Sequence, residues 1–486
     1  NTMITAQYTE SVRKYRVRYM NHGAVLQETT APYGTMVLYT GETPTYTTEE
    51  TAYKYYLFSG WDKGGYVSGD KDINAVYDIC EYSSGYFTGK EIKDLRPVEI
   101  YAMMKIGIES DVVEDKDDIT ITMGNDFSYS DVEEKVLIDK ETVFNGKTYI
   151  DTGISLFDED RDFVLAIDYK CAANIAANGV IAQCYAQNGT NGFRIWNSSG
   201  SKITWGTSSA TGISLGTRDM VVLRHIKGDK KLYVYSANTY GNDVNYTAIS
   251  RDRVTTTNAT LVFGCAKADD GAYEQYATGT VYWAKLWYAD FGDAACRELA
   301  AWTHESISYE ACGLKRFYLS NNSNKRCSLT FLQKNVLGST MPLTGAMANS
   351  GGWPATTLHT YLDARLVKAL PIGWKQLVKQ VKVSSSAGDM SKDIVTSDNY
   401  FFVPSISELV PYMTDEPYTY EGSVISFMTD EASRICTTPD GTATAYWTRS
   451  PNVSGKSYWW QIAEDGSTFG YTYPSEAAGV RTMFCI

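Results

Sequence analysis

The chain is predicted to be a multidomain, mainly β protein. Short apolar runs bounded by Gly, Pro, Asn and Asp recur along most of it, and only a few stretches show helical spacing. At 486 residues it should hold about three domains. Its 43% hydrophobic content suffices for a core in each, so extended disorder is not expected.

Charge and cysteine usage narrow the function classes. Forty-four basic residues against 57 acidic ones give a net charge of -13, and no basic run is present. Such a chain does not attract nucleic acid or anionic membranes by charge. No apolar run reaches the roughly 18 residues of a membrane span, and no secretory leader pattern opens the sequence, so no membrane insertion is expected. Nine cysteines without any C-x-x-C predict mostly reduced, buried thiols, as in a protein assembled in a cytoplasm. Cys312 and Cys327 are the pair best placed for an exception.

Residues 1–82 are expected to form the first unit: residues 11–82 alternate polar and apolar side chains ("KYRVRYM", "TMVLYT", "DINAVYDI") and predict a small antiparallel β module with Gly23, Gly34 and Pro44 at its turns. Tyr56-x-Phe58-x-Gly60-Trp61 followed by Asp72-Ile73-x-Ala75-x-Tyr77 resembles an internalin-type B repeat, which implies a stalk or spacer unit. Trp61 is expected to plug its core.

Residues 83–138 predict one helix through Leu95, Val98, Tyr101 and Ala102, capped by Asp94 and ended by Gly107, then an acidic linker, "ESDVVEDKDD". Residues 139–308 read as regularly spaced strands with a hairpin through Gly228-Asp229, which predicts a sandwich of two sheets. "YIDTGI", "VVLRH", "LYVY", "LVFG" and "GTVYWAKLWYADF" resemble a concanavalin-like or laminin-G-like jelly roll, closed by the short helix "DAACRELAAWTHE". That resemblance implies a rim able to hold sugar or calcium. In the acidic loop Asp158, Glu159, Asp160 and Asp162, a helix-loop-helix calcium pattern would need Gly and Glu where Phe163 and Tyr169 stand, so a surface turn is expected, with weak calcium binding the alternative.

Residues 309–486 open with leucines at 358, 362, 366 and 370, a stripe for packing on a sheet, and Ser405 with Glu408 forms a capping box. His359 beside the stripe is read as a core or surface histidine. Asp465-Gly466 marks a hairpin. Tyr446, Trp447, Tyr458, Trp459, Trp460, Phe469, Tyr471 and Tyr473 exceed what one face of small strands can bury, so some must meet a partner. "YWTRSP", Trp460-x-Ile462-x-x-x-Gly466, "GVR" and a terminal aromatic-Cys-Ile resemble an uncharacterised domain of gut bacterial and phage proteins, similar to C-type-lectin-like folds including retroelement-diversified variable proteins. The resemblance implies an α+β ligand-binding domain. Trp447, Trp460, Ile462 and Val480 are assigned to its core, and Arg449 to tethering backbone carbonyls. Ser457, Tyr458, Ala463, Asp465, Ser467, Phe469, Tyr471 and Tyr473 are the ligand-facing set, and Trp459, Gln461 and Glu464 are fixed under the codon rule of diversified relatives.

No metalloprotease, phosphate-loop or nucleophile-elbow motif is present, and His22, His225, His304 and His359 fall in separate segments. No carboxylate precedes Asp290 in "GTVYWAKLWYADF", which argues against a glycoside-cleaving jelly roll. The expected function is receptor binding: a phage or prophage tail-fibre tip that binds a host surface glycan or protein, joined to other tail proteins in the virion tail. No catalysis or cofactor is expected, and a homo-oligomer, trimeric in comparable fibres, is. A bacterial surface adhesin, a structural tail protein and a carbohydrate-cleaving enzyme are the alternatives.

Overall fold

The computed structural model describes residues 13–123, 132–157, 159–172, 178–186, 191–197, 201–205, 208–211, 218–236, 245–250, 259–268, 270–300, 306–338 and 340–486. Within them the chain is mainly β. The first unit is a four-stranded sheet of β1 (Lys14–Asn21), β2 (Ala24–Pro32), β3 (Lys54–Trp61) and β4 (Lys71–Glu81), in the order β2-β1-β4-β3. His22 (φ 45°) and Gly23 (φ 84°) both take the left-handed conformation that a two-residue β1–β2 turn requires. β1 pairs with β4 in parallel, so the sheet is mixed rather than antiparallel. Alternation did not reveal this because side chains alternate with the same period in either direction. Trp61 packs on the Val17, Tyr19, Val37, Val67 and Ile73 core but remains half-buried.

The sandwich comprises a six-stranded and a seven-stranded sheet. The strand Phe163–Cys171 pairs on one side with Arg218–His225 and on the other with Thr278–Trp287. It is apolar on both faces: Phe163, Leu165 and Ile167 enter the inter-sheet core, whereas Val164 and Ala166 meet the helix Gly292–Ala300 on the outer face. Gly228 (φ 78°) turns the hairpin between Arg218–His225 and Lys231–Ser236. The acidic loop is tied to that turn, since Asp162 accepts from Lys227 N at 2.7 Å and Asp160 from Gly228 N at 2.9 Å. Asp158 and His304 lie outside the described residues.

The C-terminal unit differs from its expected boundaries. Its five-stranded sheet runs Phe401–Phe402, Met483–Cys485, Leu329–Gln333, Ser306–Leu314, then β5 (Asp118–Thr122). β5 precedes the sandwich in sequence, and pairs Ile119 with Tyr309 and Ile121 with Ile307. Thus the sandwich, whose strands begin at Glu134, is inserted between two neighbouring strands of this sheet. The segment read as an acidic linker therefore holds an edge strand; two isoleucines among acidic and hydroxylated residues gave too little apolar signal. The preceding helix α1 (Pro97–Ile106) buries Val98, Ile100, Ala102 and Met103 in the same core. Its cap is Arg96 rather than Asp94: Pro97 sets the first turn and Glu99 accepts from Arg96 N at 2.8 Å. Gly107 (φ 80°) ends it as expected.

The leucine stripe is the buried face of the helix Thr357–Ala369, with Leu370 buried just beyond it, and the His359 ring meets Trp353 edge-on at 5.6 Å. All nine cysteines are buried free thiols; Cys327 neighbours Thr330 and Cys485 rather than pairing with Cys312. The N-terminal module docks on this unit through Gln376, which accepts from Phe58 N at 3.3 Å and donates to Phe58 O at 2.6 Å.

The insertion makes a prediction about fragments. A piece beginning at Ser306 lacks β5 and α1, exposes their apolar footprint and should melt cooperatively only at lower temperature, or not at all. A chain joining Met123 to Ser306 through a short Gly/Ser linker should regain a cooperative melt by circular dichroism.

Candidate functional site

The C-terminal aromatics lie on a three-stranded sheet of Tyr446–Pro451, Trp459–Ile462 and Thr468–Thr472. Tyr446, Trp447, Trp459 and Ile462 are fully buried, as is Val480. The register slips between Trp459 and Gln461, so Trp459 is the sealed ring, and Trp460, expected in the core, packs against it only half-buried. Trp460 also lies against Gly470 and donates from Nε1 to the Tyr418 hydroxyl at 2.9 Å. A Cβ at residue 470 would sit 2.7 Å from the indole ring, which requires glycine there.

The residues expected to face a ligand fall into two groups. Ala463, Asp465 and Ser467 build the hairpin turn: Ala463 N donates to Ser467 O at 2.8 Å, and Asp465 accepts from the N and Oγ of Ser467 at 2.9 and 2.6 Å. The Ser467 donors hold the Asp465 carboxyl below its usual range. Gly466 (φ 83°) is fixed because a Cβ would lie 1.9 Å from Glu431 O. Asp465 also borders an open groove of about 580 Å³ with Tyr412, Asp430, Glu431 and Ile435.

The second group is an aromatic patch. Along Thr468–Thr472, Gly470 and Thr472 point inward and Phe469 and Tyr471 outward, 50% and 62% exposed. Phe469 meets Tyr471 at 6.4 Å, Tyr471 meets Tyr458 at 5.5 Å, and Tyr458 meets Tyr473 at 5.2 Å, so the four rings are contiguous. The Tyr458 hydroxyl donates to Tyr473, which pushes its pKa above the ordinary range. Ser457 is half-buried beside Tyr458.

What holds the patch is polar and buried. Asn349 donates to the carbonyls of Asn452, Gly455 and Tyr458 at 3.2, 2.8 and 2.9 Å, and Asn452 donates to Gly470 O, so the loop before Tyr458 is tied to both neighbouring segments. Beneath it, Arg449 tethers backbone carbonyls as expected, donating to Ser384 O and Val403 O at 2.9 Å each and to Glu421 O. It also pairs with Glu408 at 2.7 Å, both side chains being fully buried. Glu408 doubles as the capping-box residue, accepting from Ser405 N at 2.9 Å. Burial opposes its ionisation, but Arg449, together with Arg316 at 3.7 Å and Ser405 N, outweighs this and holds the carboxyl below its ordinary range. Glu421 accepts from Ser386 N at 2.6 Å and meets the Ser450 hydroxyl; burial dominates there and pushes its carboxyl up to about 8. Sequence reading missed Asn349, Tyr418, Glu408 in this ionic role and Glu421, because their partners are distant in the chain. Among the described residues, no group of three or more His, Cys, Asp or Glu is placed to hold a metal.

Residues 328–486 match the family model described as "Domain of unknown function (DUF6273)". No curated protein matches the chain. Among solved structures, it is similar to the CBM40 of a Ruminococcus gnavus IT-sialidase bound to alpha2,6 sialyllactose: 11% identity over 35% of this chain and 98% of that one, TM-score 0.27. It is also similar to an arabinofuranosidase complexed with arabinofuranosyl-alpha-1,2-xylobiose, at 10% identity over 42% of this chain and 49% of that one, TM-score 0.27. A third is the NanB sialidase of Streptococcus pneumoniae, at 12% identity over 41% of this chain and 36% of that one, TM-score 0.25.

Two predictions concern the frame. Arg449→Met leaves Glu408 with Arg316 alone, strands three buried carbonyls and should cost roughly 3–5 kcal/mol in urea unfolding. Glu421, raised from 4.5 to about 8, favours the folded state below pH 4.5, and that contribution is lost as pH rises through about 8. The melting temperature of the wild type minus that of Glu421→Gln should therefore fall between pH 5 and pH 9; a flat difference would mean that Glu421 titrates normally.

Proposed function

We propose that the chain is a non-catalytic receptor-binding protein, whose C-terminal unit presents the Phe469, Tyr471, Tyr458 and Tyr473 patch to a glycan or protein on a cell surface. The observation that carries this reading is four rings in contact, two of them at least half exposed, standing on a frame of buried polar ties. Rigid aromatics give large contact area at small entropic cost, and they stack on sugar faces as readily as on protein side chains. A frame ordered before contact spares the cost of ordering loops on binding. The hairpin turn with Asp465 and Ser467 is positioned to add polar contacts beside the rings.

The setting of a phage or prophage tail-fibre tip rests on the resemblance of the C-terminal segment to variable lectin-like proteins. Assembly with other tail proteins in a virion, a trimeric tip and diversification of the ligand-facing positions belong to the same reading. Replacing Tyr471 and Tyr473 together with Ala should leave the melting temperature within about 2 °C, because surface changes away from special features are nearly neutral. The same variant should lower attachment to host cells at least tenfold in a pull-down or adsorption assay. Undiminished attachment would remove the patch from recognition.

A further inference from the structure

Between the three units lies a cavity of about 510 Å³, within the range of roughly 300–1,000 Å³ typical of small-molecule sites. Its wall is aromatic. Trp61 packs against Tyr19 at 4.6 Å, Tyr39 at 4.9 Å and Phe58 at 5.2 Å, so the indole is held by three other rings. The Tyr19 and Tyr39 hydroxyls donate to Val37 O and Glu42 O, which fixes both rings. The opposite side is supplied by other units: Ala294 and Glu298 from the sandwich helix, Ile372 and Lys375 from the helix Ile372–Leu377. Glycines 60, 64 and 65 and exposed Lys63 complete the N-terminal side.

We propose that this cavity binds a saccharide of one or two pyranose rings, stacked on Trp61 and hydrogen-bonded at the rim. The aromatic wall suits the C–H face of a sugar ring, and a purely apolar ligand would leave the charged rim desolvated without exchange. The lining carries Lys63, whose ammonium keeps donors beyond its bond to Asp72 O at 2.9 Å, and Glu298 as an acceptor, a mixture that fits hydroxyls better than a ligand of one charge. The site needs all three units in place and is independent of the C-terminal aromatic patch.

The test uses the full chain and saturation-transfer NMR with maltose, cellobiose and lactose as probes. At least one disaccharide should give transfer, and Trp61→Leu should weaken its affinity roughly tenfold or more. Ala294→Phe fills the cavity from an exposed helix position without touching the aromatic core, so it should block binding equally while the melting temperature stays unchanged. The Tyr471→Ala, Tyr473→Ala double variant should bind as the wild type does. Absence of transfer from all three sugars overturns the proposal, as does undiminished binding to a folded Ala294→Phe chain. Loss of binding in the double variant alone would place the sugar on the other patch and overturn it too.

Discussion

The C-terminal unit depends on a fully buried guanidinium. Much of this unit runs without regular secondary structure, so its buried carbonyls lack the ladder partners that strands and helices provide. Arg449 answers three of them at once and joins segments around residues 384, 403 and 421. A planar fork with five donors suits this task; a lysine ammonium has too few donors and the wrong geometry. Burying such a cation is costly alone, and Glu408 offsets it at 2.7 Å. Arg316 also lies 3.7 Å from Glu408, so two cations serve one carboxylate, while burial keeps the second, Glu421, protonated at neutral pH. The placement of the two arginines therefore sets the protonation pattern as well as the chain path.

This economy explains why rings can be left outside. Trp447, Trp459 and Tyr446 fill the interior, and the polar ties of Arg449, Asn349 and Asn452 fix the loops, so Phe469 and Tyr471 are not needed for packing. Their neighbours hold them in place from below: Gly470 admits the Trp460 ring, and Trp460 is pinned by Tyr418. Order under the patch is thus supplied by groups buried beneath it.

Local chemistry made part of this legible in the sequence. Asp465-Gly466, the Ser405–Glu408 capping box and the leucines from 358 to 370 each declare themselves within a few residues, and all three appear in the structure. The tethering role of Arg449 was also readable, since a lone arginine amid a strand-forming apolar stretch has few other uses. Long-range pairing was not readable. β5 joins Ser306–Leu314 across the whole sandwich, and β1 pairs with β4 in parallel across more than fifty residues. Neither leaves a periodic trace. The exchange of Trp459 for Trp460 has a smaller cause: a single register slip turns the strand's alternation by one residue, and period-two patterns carry no mark of such a slip.

Insertion of the sandwich also constrains how the units sit. Both ends of the insert return to one sheet, and the N-terminal module is held to the C-terminal unit by Gln376 while Met36, Leu38 and Tyr66 pack against the cluster beneath the sandwich helix. Three contacts in a closed circuit restrain relative motion more than a single tether between consecutive domains does, because separating any pair must strain another. The cleft lies in the middle of that circuit, and Trp61 stands half-buried at the junction.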